Sequence, residues 1–430
     1  MMRFLITGSV LLILLASCTA QAQLSAPEAR SFGMGTAYSA RATGYEAPFW
    51  NPANLGLSRN PRWSAGMNAN AAFSNNALSY GQVTSLYGEY LDASEKSRLL
   101  QDVRSATGGG LANLSFDVGA QGLSASYGRF AAGFGGIGAG NAAVTTDALE
   151  LLLFGNVGES GEGQDFQFEG TSADLWSLYG GYASWAQPFR FDALAGFGFS
   201  AGTTVRYGVA RDLMRIRDGG SQLYYDPVLL NVGLEKLQAT GGDAGTAWAA
   251  DIGLAMEFED RLVAGVSIVN AVQVVNWNTS QFEVTSYDID ANAGQISINS
   301  ITKTYDELDT ASRERVDALL AESELPRQLR LGGLYRFSPH VDLSADYVEV
   351  FGNGLRSGWD RTLSAGSEFR PVAWAALRAG LATSFDQSAI TGGIGLYGGP
   401  LHVDFAAGRW GLGGGDGFVT ALSVSYWPGY

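Results

Sequence analysis

The side chains that could perform acid–base or metal chemistry in this chain are few and widely separated. His340 and His402 are the only histidines, and each falls on the polar side of an alternating segment. A zinc site needs three or four ligands in a fixed arrangement, and no further ligands can be assigned to either histidine. No serine or cysteine stands in a recognisable triad motif. The sequence therefore predicts a protein without catalytic residues, metal or cofactor, which is not an enzyme.

Two short motifs resemble ligand-binding loops but lack the context that such loops require. The run GFGGIG (133–138) has the spacing of the dinucleotide fingerprint, which needs a strand, a helix and an acidic residue about 20 positions later. We instead expect these glycines to permit strand curvature or close packing. The run DIDANAG (288–294) begins like a calcium loop, but Ala293 and Asn299 stand where an EF-hand needs Gly and Glu. We interpret it as an acidic, solvated loop.

The elements that must position the charged residues alternate apolar and polar side chains. This period of two runs through residues 328–337, 340–347, 374–385 and 401–407. It is typical of strands with one apolar and one polar face. In a soluble sandwich the apolar face forms the core, whereas in a membrane barrel it faces lipid and the polar face lines the lumen. Periodicity alone is compatible with both.

Composition and strand length favour the membrane barrel. Hydrophobic residues make up 46% of the chain and charged residues 16%, which is below the roughly 25% charged residues of soluble domains. Segments close to the roughly 9–11 residues of a barrel strand recur along the chain. We predict an all-β fold, a transmembrane antiparallel β-barrel of about 14 strands over residues 61–430. The aromatic residues expected in its interfacial girdles are Tyr80, Tyr87, Tyr90, Trp410, Tyr426, Trp427 and Tyr430.

The charged residues of the polar faces would line the lumen of such a barrel. They are of mixed sign, and charges in a narrow interior need partners, so we expect them to pair across it. Guiding a solute is the alternative role. The net charge of −15 argues against nucleic-acid binding, which needs a basic surface. The lumen-lining candidates are Arg330, Arg336, His340, Asp342, Asp346, Glu368, Arg378 and Asp404.

The N-terminus has the features of an export signal. Arg3 precedes a short apolar run, and small residues predict cleavage after Ala22, so residues 1–22 form a signal peptide. The run is too short for a spanning helix, which needs roughly 20 apolar residues. The alternative is a lipobox that leaves Cys18 lipidated as the first residue. Residues 23–60 have no strand periodicity, and we expect them to plug the lumen or lie at its periplasmic mouth.

Two segments with helical spacing interrupt the strand pattern. Residues 92–103 and 309–322 start with cap-like residues, and Thr310 or Ser312 is the expected N-cap of the second segment. Both are too short to span a membrane, so we expect them in loops. There they would pack on the barrel or, alternatively, dock a protein partner. The loop at 280–325 is acidic and is the longest non-barrel stretch, so we expect it outside the bilayer on the long-loop side.

One N-terminal motif, SFGMGTAYSARATGYEAPFWNPANLGL (31–57), is more specific than these patterns. Pro52 fixes its own φ and favours an extended conformation at Asn51, which predicts a rigid corner before the first strand. Gly33 and Gly35 permit a tight backbone there. A turn without any further role is the alternative. The motif residues are Gly33, Gly35, Trp50, Asn51, Pro52 and Ala53.

This motif resembles the N-terminus of outer-membrane barrels of the long-chain fatty-acid transporter superfamily. The resemblance extends to DALELLLFGN (147–156), LPRQLRLGGLYRFSPHVDLSADY (325–347), SAGSEF (364–369), LRAGLATS (377–384) and GGIGLYGGPLHVDFAAG (392–408). The superfamily includes the barrel subunit of the type IX secretion system and related bacterial proteins. The resemblance implies a 14-stranded barrel in the bacterial outer membrane, with the N-terminal segment inserted into it or packed against it.

The two branches of the superfamily imply different functions, and neither is enzymatic. The transporter branch implies passive uptake of hydrophobic or amphipathic small molecules, which leave by a lateral or an N-terminal gate. It predicts an apolar pocket above the N-terminal segment. The secretion branch implies a non-transporting scaffold that binds partner proteins. It predicts a lumen filled by side chains and a partner docked on the loop helices. Outer-membrane lipid surrounds the barrel in both cases.

Overall fold

A computed structural model describes most of the chain. The described residues are 28–79, 82, 91–155, 157–191, 194, 196–225, 228–231, 234–259, 261–292, 295–352, 354–355, 359–384, 387–410 and 416–428. The predicted signal peptide (1–22) with Cys18, and the predicted girdle residues Tyr80, Tyr87, Tyr90 and Tyr430, lie outside these ranges. The same holds for the side chains of residues 288–299 and of Trp410. The proposed division of the chain at residues 22 and 60 stays a prediction.

Strands dominate the described chain. They are β1 (Trp63–Asn75), β2 (Leu111–Tyr127), β3 (Phe130–Thr145), β4 (Phe166–Gln167), β5 (Ser172–Phe189), β6 (Phe197–Asp218), β7 (Gln222–Tyr225), β8 (Val228–Asn231), β9 (Leu234–Ala239), β10 (Gly245–Phe258), β11 (Leu262–Trp277), β12 (Phe282–Asn292), β13 (Gln295–Thr304), β14 (Arg327–Ser338), β15 (Val341–Phe351), β16 (Arg361–Val372), β17 (Ala375–Ser384), β18 (Gln387–Gly398), β19 (Leu401–Trp410) and β20 (Asp416–Tyr426).

Fourteen of these strands form one closed antiparallel barrel. They are all the strands except β4, β7, β8, β9, β12 and β13, and each pairs with the next barrel strand along the chain. The barrel closes between β1 and β20, where the register runs from Ala65↔Tyr426 to Asn75↔Asp416. Closure leaves the sheet without a free first or last strand, as a strand structure in lipid requires. The prediction of an all-β barrel of about 14 strands is confirmed.

Apolar side chains cover the outside of the barrel. On β10, Trp248, Ile252 and Leu254 are exposed, whereas Ala249 and Ala255 point inward and are buried. The same alternation places exposed leucine, valine, isoleucine and aromatic side chains on the outer face of the other barrel strands. Such a belt would promote aggregation in water, and it has the character of the lipid-facing surface of a membrane barrel.

The two ends of the barrel differ in their connections. At one end the strands are joined by short turns, such as residues 128–129, 339–340, 373–374 and 399–400. At the other end, long connections carry the additional strands and most of the helices. These two ends are called the short-turn end and the long-loop end. Bacterial barrels place short turns in the periplasm and long loops outside the cell.

Five α-helices and four 3₁₀ turns accompany the strands in the described residues. The α-helices are α1 (Ala29–Gly33), α2 (Ala47–Trp50), α3 (Ala93–Thr107), α4 (Thr146–Phe154) and α5 (Thr310–Ala321). The 3₁₀ turns are Gly44–Glu46, Pro52–Gly56, Thr279–Gln281 and Tyr305–Glu307. No helix of the described chain combines the length and the apolarity needed to span a membrane.

The two predicted loop helices are present, but the N-cap of the second helix was predicted wrongly. The helix predicted at 92–103 is α3, which has Asp92 as its N-cap. The helix predicted at 309–322 is α5, but its N-cap is Asp309 and not Thr310 or Ser312. The Asp309 carboxylate accepts a hydrogen bond from the Ser312 backbone N–H at 2.8 Å, so the helix begins one residue after it.

The stretch at 280–325 is more ordered than the predicted loop. It contains the hairpin of β12 and β13, and β12 also pairs with β9 outside the barrel. The predicted loop is therefore a β-hairpin over residues 282–292 and 295–304, where β-branched residues of both strands favour pairing, and it lies outside the barrel as predicted. Helix α5 then buries Val316 and Leu320 in a core with Leu213, Leu237 and Phe282. This core covers the inner face of β3, β5 and β6 at the long-loop end.

The C-terminal strand corrects one girdle residue. Tyr426 is 38% exposed and stacks on Trp63, with ring centroids 4.9 Å apart. Trp427 is only 1% exposed and contacts Tyr45 inside the barrel, so its assignment to the outer girdle was wrong. The reason is the alternation of β20, in which even-numbered residues face outward and odd-numbered residues face the lumen.

Candidate functional site

Residues 28–60, called here the N-terminal segment, lie inside the barrel. Nearly every one of them is buried, although the segment contains only short helices. Helix α1 packs against the inner faces of β17 to β20, where Phe32 meets small side chains. The apolar cluster around it consists of Ala29, Phe32, Ala382, Ala389, Ala406, Val419 and Ala421. The small wall residues leave the space that the segment occupies.

Glycines of the wall allow the backbone of the segment to approach closely. A Cβ atom on Gly380 would lie 2.0 Å from the backbone nitrogen of Gly35, a distance that no side chain tolerates. Gly35 itself has φ of +64°, a conformation that favours glycine. The wall glycines at which an added Cβ would lie between 2.0 and 3.1 Å from the segment are Gly66, Gly202, Gly253, Gly265, Gly332, Gly366, Gly380 and Gly393.

The Asn51–Pro52 corner of the motif is fixed to the wall. Asn51 is extended, with φ of −150° and ψ of 106°, as the following proline requires. Its Oδ1 atom accepts a hydrogen bond from the Ala53 backbone N–H at 3.0 Å. Its Nδ2 atom donates to the Leu254 carbonyl of β10 at 2.9 Å. The corner therefore starts the 3₁₀ turn at Pro52–Gly56 and also holds the segment against β10.

Wall side chains bind the carbonyls at the end of α2. Arg206 donates to the carbonyl of residue 48 at 2.9 Å, Arg330 to that of residue 49 at 2.8 Å, and Ser267 to that of residue 50 at 2.7 Å. A helix leaves its last carbonyls without partners inside the helix. The guanidinium of Arg330 also lies 4.8 Å from the Trp50 ring centroid. Residues of three different strands thus cap this short helix.

Four of the lumen-lining candidates belong to one buried ion-pair network. The Arg378 Nε atom lies 2.7 Å from a Glu368 carboxylate oxygen, and its Nη1 atom lies 2.8 Å from an Asp404 oxygen. Asp342 joins the network through Arg41 at 3.4 Å. These strand residues are all buried, and they come from β15, β16, β17 and β19.

The N-terminal segment supplies two cations that complete this network. Arg30 lies 2.9 Å from Asp404, between Nε and Oδ2, and its Nη2 atom lies 2.7 Å from Nδ1 of His402. Arg41 forms a close ion pair with Glu368. Buried charges are stable only with such partners, so the network fixes the segment to the wall as well as neutralising the lumen.

The other lumen-lining candidates have different surroundings. Asp346 is buried and accepts hydrogen bonds from the backbone N–H groups of Tyr38, at 2.9 Å, and Ser39, at 2.7 Å. Arg336 is exposed near the short-turn end, 3.6 Å from Asp342. His340 is exposed in the turn between β14 and β15, so its predicted position on the polar face of a strand was wrong. The alternation included His340 in the strand, whereas β15 begins one residue later, at Val341.

Several residues of the site were not predicted from the sequence. Arg30 and Arg41 lie in a segment without periodicity, which gives no indication of the direction of a side chain. Arg206 and Asp251 form a buried pair with 2.8 Å between Nε and Oδ2. These two lie at alternate positions of apolar strands, so the period-two pattern could have found them. No cluster of three or more His, Cys, Asp or Glu residues suited to a metal ion occurs among the described residues.

A small cavity lies between the N-terminal segment and the wall on the long-loop side. Its volume is about 50 Å³, and it is lined by Phe32 and Trp50 of the segment and by residues of β14 to β18. Val348, Val350 and Trp359 make much of the lining apolar, whereas Arg330 and Gln328 add polar groups. Typical ligand sites measure roughly 300–1,000 Å³, so this cavity is small by comparison.

The contact between β1 and β2 differs from the other contacts of the barrel wall. Its ladder consists of Trp63↔Tyr127 and Ser64↔Ser126 at the short-turn end. Beyond these pairs, side chains bridge the two strands, as between Ser74 and Ser115, whose Oγ atoms are 2.7 Å apart. One backbone hydrogen bond, from the Asn76 N–H to the Asn113 carbonyl at 3.2 Å, joins the chain at the long-loop end. The register of β2 against β3 also shifts between residues 121 and 124. This contact is called the β1–β2 seam.

Comparison with known proteins bears on the fold. No family model matches the chain, and no curated protein matches it. Among solved structures, a TodX deltaS2S3 mutant monoaromatic hydrocarbon channel matches with a TM-score of 0.54 and 14% identity, covering 94% of this chain and 99% of that chain. The Pseudomonas putida toluene transporter TodX matches with a TM-score of 0.50 and 14% identity, covering 94% and 99%. This chain has the fold of the TodX channel.

The barrel fold that the predicted resemblance implies is confirmed, because this chain has the fold of the TodX channel. A Pseudomonas aeruginosa FadL homologue also aligns over 95% of this chain and 100% of that chain, with 14% identity and a TM-score of 0.47. The relation to the type IX secretion barrel stays a prediction. The similarity to the TodX channel extends over nearly the whole of both chains, so the N-terminal segment and the barrel belong to one fold.

Proposed function

We propose that this chain is a barrel of the bacterial outer membrane that mediates passive uptake of hydrophobic or amphipathic small molecules. Its fold is shared with TodX, a toluene transporter and monoaromatic hydrocarbon channel. Its outer face is apolar, as contact with outer-membrane lipid requires. These two features support a location in the membrane and a hydrophobic cargo.

The β1–β2 seam is the observation that carries this proposal. An unpaired backbone group costs several kcal/mol in hydrocarbon, so an intact strand ladder is expensive to open within a bilayer. The seam has a ladder of only two residue pairs, at one end, so opening it breaks fewer backbone hydrogen bonds than opening another strand pair. A hydrophobic solute that leaves through the seam enters the bilayer directly and never crosses water.

The lateral route also preserves the interactions of the N-terminal segment. Exit past the segment at the short-turn end would break the ion pairs of Arg30 and Arg41 with the wall. Breaking a buried ion pair costs about 3–5 kcal/mol, because a charge is left without its partner. The cavity beside Phe32 is the starting point of the route, and it must widen when a solute enters it.

A non-transporting scaffold is the second candidate function, and the filled lumen favours it. The N-terminal segment, its ion-pair network and the core around α5 occupy much of the interior. A protein partner would then bind at the loops of the long-loop end. Helix α4 is the best placed of the loop helices, because Leu152 on its surface is exposed whereas Glu150 is turned inward to Arg104.

A disulfide across the seam tests the transport proposal. We expect the double variant Ser74→Cys/Ser115→Cys to form a disulfide, since the two hydroxyls already touch. Uptake of the hydrophobic fluorescent probe 1-N-phenylnaphthylamine is measured in cells that carry the barrel. We expect oxidation of this variant to abolish the uptake that the wild-type barrel supports, and reduction to restore it.

The matched control is Thr383→Cys/Ser388→Cys, a second pair of neighbouring hydroxyls with Oγ atoms 3.2 Å apart. It joins β17 and β18, whose ladder is complete from Ala375↔Leu396 to Ser384↔Gln387, so its disulfide should leave uptake unchanged. Uptake that survives the seam disulfide would contradict lateral exit. A wild-type barrel that adds no uptake, but copurifies with a stoichiometric protein, would favour the scaffold.

A further inference from the structure

Exposed arginines lie along the short-turn end of the barrel from β1 to β14. They occur at successive strand ends, before β1, between β2 and β3, after β5, before β11 and near the end of β14. All of them are exposed, in a chain whose net charge is −15. This set is called the arginine rim, and it consists of Arg62, Arg129, Arg190, Arg261 and Arg336.

Among the residues that the structure describes, little negative charge faces the arginine rim. No carboxylate of the described residues lies within ion-pair distance of Arg62, Arg129, Arg190 or Arg261, and Arg336 approaches Asp342 only to 3.6 Å. Among the residues that the structure describes in the short turns, Glu259 is the one exposed carboxylate. Within the described part of the chain, the rim is therefore a band of positive charge on an acidic protein, available to an anionic partner.

Exposed aromatic side chains flank the arginines. Arg129 lies between Tyr127 and Phe130, which are 63% and 62% exposed, and Arg190 lies between two exposed phenylalanines. Arg62 donates a hydrogen bond to the Tyr127 hydroxyl at 3.3 Å and lies over its ring. Aromatic residues at the end of a lipid-facing surface mark the level of the lipid headgroups. The arginines therefore lie at the depth of the lipid phosphates.

We propose that the arginine rim binds the phosphate groups of anionic phospholipids in the leaflet that surrounds the short-turn end. Guanidinium groups donate paired hydrogen bonds to phosphate oxygens and are weakly hydrated, so they bind phosphate at such an interface. The rim extends along the wall from β1 to β14 instead of forming one compact patch. A layer of lipids contacts all of these sites at once, whereas a single protein partner would contact only neighbouring ones.

This proposal rests on the outer-membrane location proposed above, but not on transport. Its test uses the full chain, reconstituted into bilayers of equal phosphatidylglycerol and phosphatidylcholine and then extracted gently for native mass spectrometry. The rim variant carries Arg62→Gln, Arg129→Gln, Arg190→Gln and Arg261→Gln. The control variant removes the same number of exposed arginines from the long-loop end, through Arg98→Gln, Arg211→Gln, Arg315→Gln and Arg361→Gln.

We expect wild-type protein and the control variant to retain more phosphatidylglycerol than phosphatidylcholine. In the rim variant this ratio should fall at least about fivefold, the effect of losing one charge–headgroup contact. High salt should lower the wild-type ratio, because exposed charges are screened. Circular dichroism checks that both variants keep the barrel.

Two outcomes would overturn the proposal. One is a rim variant that keeps the wild-type lipid ratio, and the other is an equal loss of the ratio in both variants, which would reflect net charge alone. The disulfide experiment on the β1–β2 seam reports on transport separately. A barrel that transports nothing and still retains phosphatidylglycerol through the rim would refute the proposed uptake and leave this inference supported.

Discussion

Among single residues, Glu368 is the carboxylate whose replacement should destabilise the protein most. Its side chain is 1% exposed, with the guanidiniums of Arg378 and Arg370 both 2.7 Å away and Arg41 in close contact. Glu368→Gln leaves these cations facing a neutral amide. Because removal of one partner from a buried ion pair costs about 3–5 kcal/mol, we expect a loss of that size in the free energy of unfolding. Urea titration in micelles, followed by tryptophan fluorescence, measures it.

Glu349→Gln is the matched control for this substitution. Glu349 pairs with Arg361 at 3.0 Å, but the Arg361 side chain is 57% exposed. Exposed pairs contribute about 0–1 kcal/mol, so the control should remain close to wild type. If the two variants lose the same free energy of unfolding, the buried network is no stronger than a surface pair.

The alternation of polar residues predicted the strand carboxylates of this ion-pair network but not its two arginines from the N-terminal segment. Asp342, Glu368 and Asp404 were identified because every second residue of a barrel strand faces the lumen. Their partners Arg30 and Arg41 come from a segment more than 300 residues away along the chain, and no local pattern indicates such a contact. Sequence periodicity reports which face a residue lies on, whereas pairing between distant segments depends on the closed fold.

At the scale of secondary-structure elements, the N-cap of α3 should make this helix sensitive to acid. The Glu95 backbone N–H donates to the Asp92 carboxylate at 2.9 Å, and this hydrogen bond lowers the pKa of Asp92. The cap therefore stabilises α3 above the unfolded pKa of about 3.9 and is lost as pH falls through the lower folded value. We expect hydrogen-exchange protection of the first turn of α3 to be constant near neutrality and to fall under acid.

The variant Asp92→Asn should keep an N-cap on α3 while removing the carboxylate that titrates. Asparagine is as good an N-cap as aspartate, but it carries no charge that pH can remove. The variant should keep the protection of the first turn at neutral pH and lose its acid dependence. A loss of protection in both proteins at the same acidic pH would show that another group controls α3.

Elements were predicted well where their signals are local. Cap-like residues located the starts of α3 and α5, whereas the end of α3 was placed four residues early because Gly108, in the left-handed conformation, terminates it after Thr107. The hairpin of β12 and β13 was missed because its acidic composition suggested a solvated loop. Trp427 was assigned to the girdle because an aromatic residue near a strand end fits either face, and only the register of β20 decides between them.

For the whole molecule, the barrel could be predicted, and a plugged lumen was one of the two positions predicted for residues 23–60, but the contacts that hold the segment there could not be predicted. Strand length, alternation and the family resemblance all indicate a closed sheet of about 14 strands. The position of the N-terminal segment depends instead on glycines such as Gly253 and Gly380, which approach the segment from different strands. In the sequence they are indistinguishable from glycines at turns. Their common role becomes visible only when the closed barrel brings them to one surface.

A larger residue at one of these glycines should displace the N-terminal segment and open the lumen to ions. A side chain at Gly380 would collide with the backbone of Gly35, 2.0 Å from the new Cβ, so Gly380→Val should keep the N-terminal segment from its seat. We expect wild-type protein in planar bilayers to carry no ion current and this variant to show stepwise currents. Gly392→Val is the control, because the nearest atom to its new Cβ is the Arg378 carbonyl oxygen at 3.7 Å. If the folded Gly380→Val barrel carries no more ion current than the control, the close contact between Gly380 and Gly35 is not needed to close the lumen.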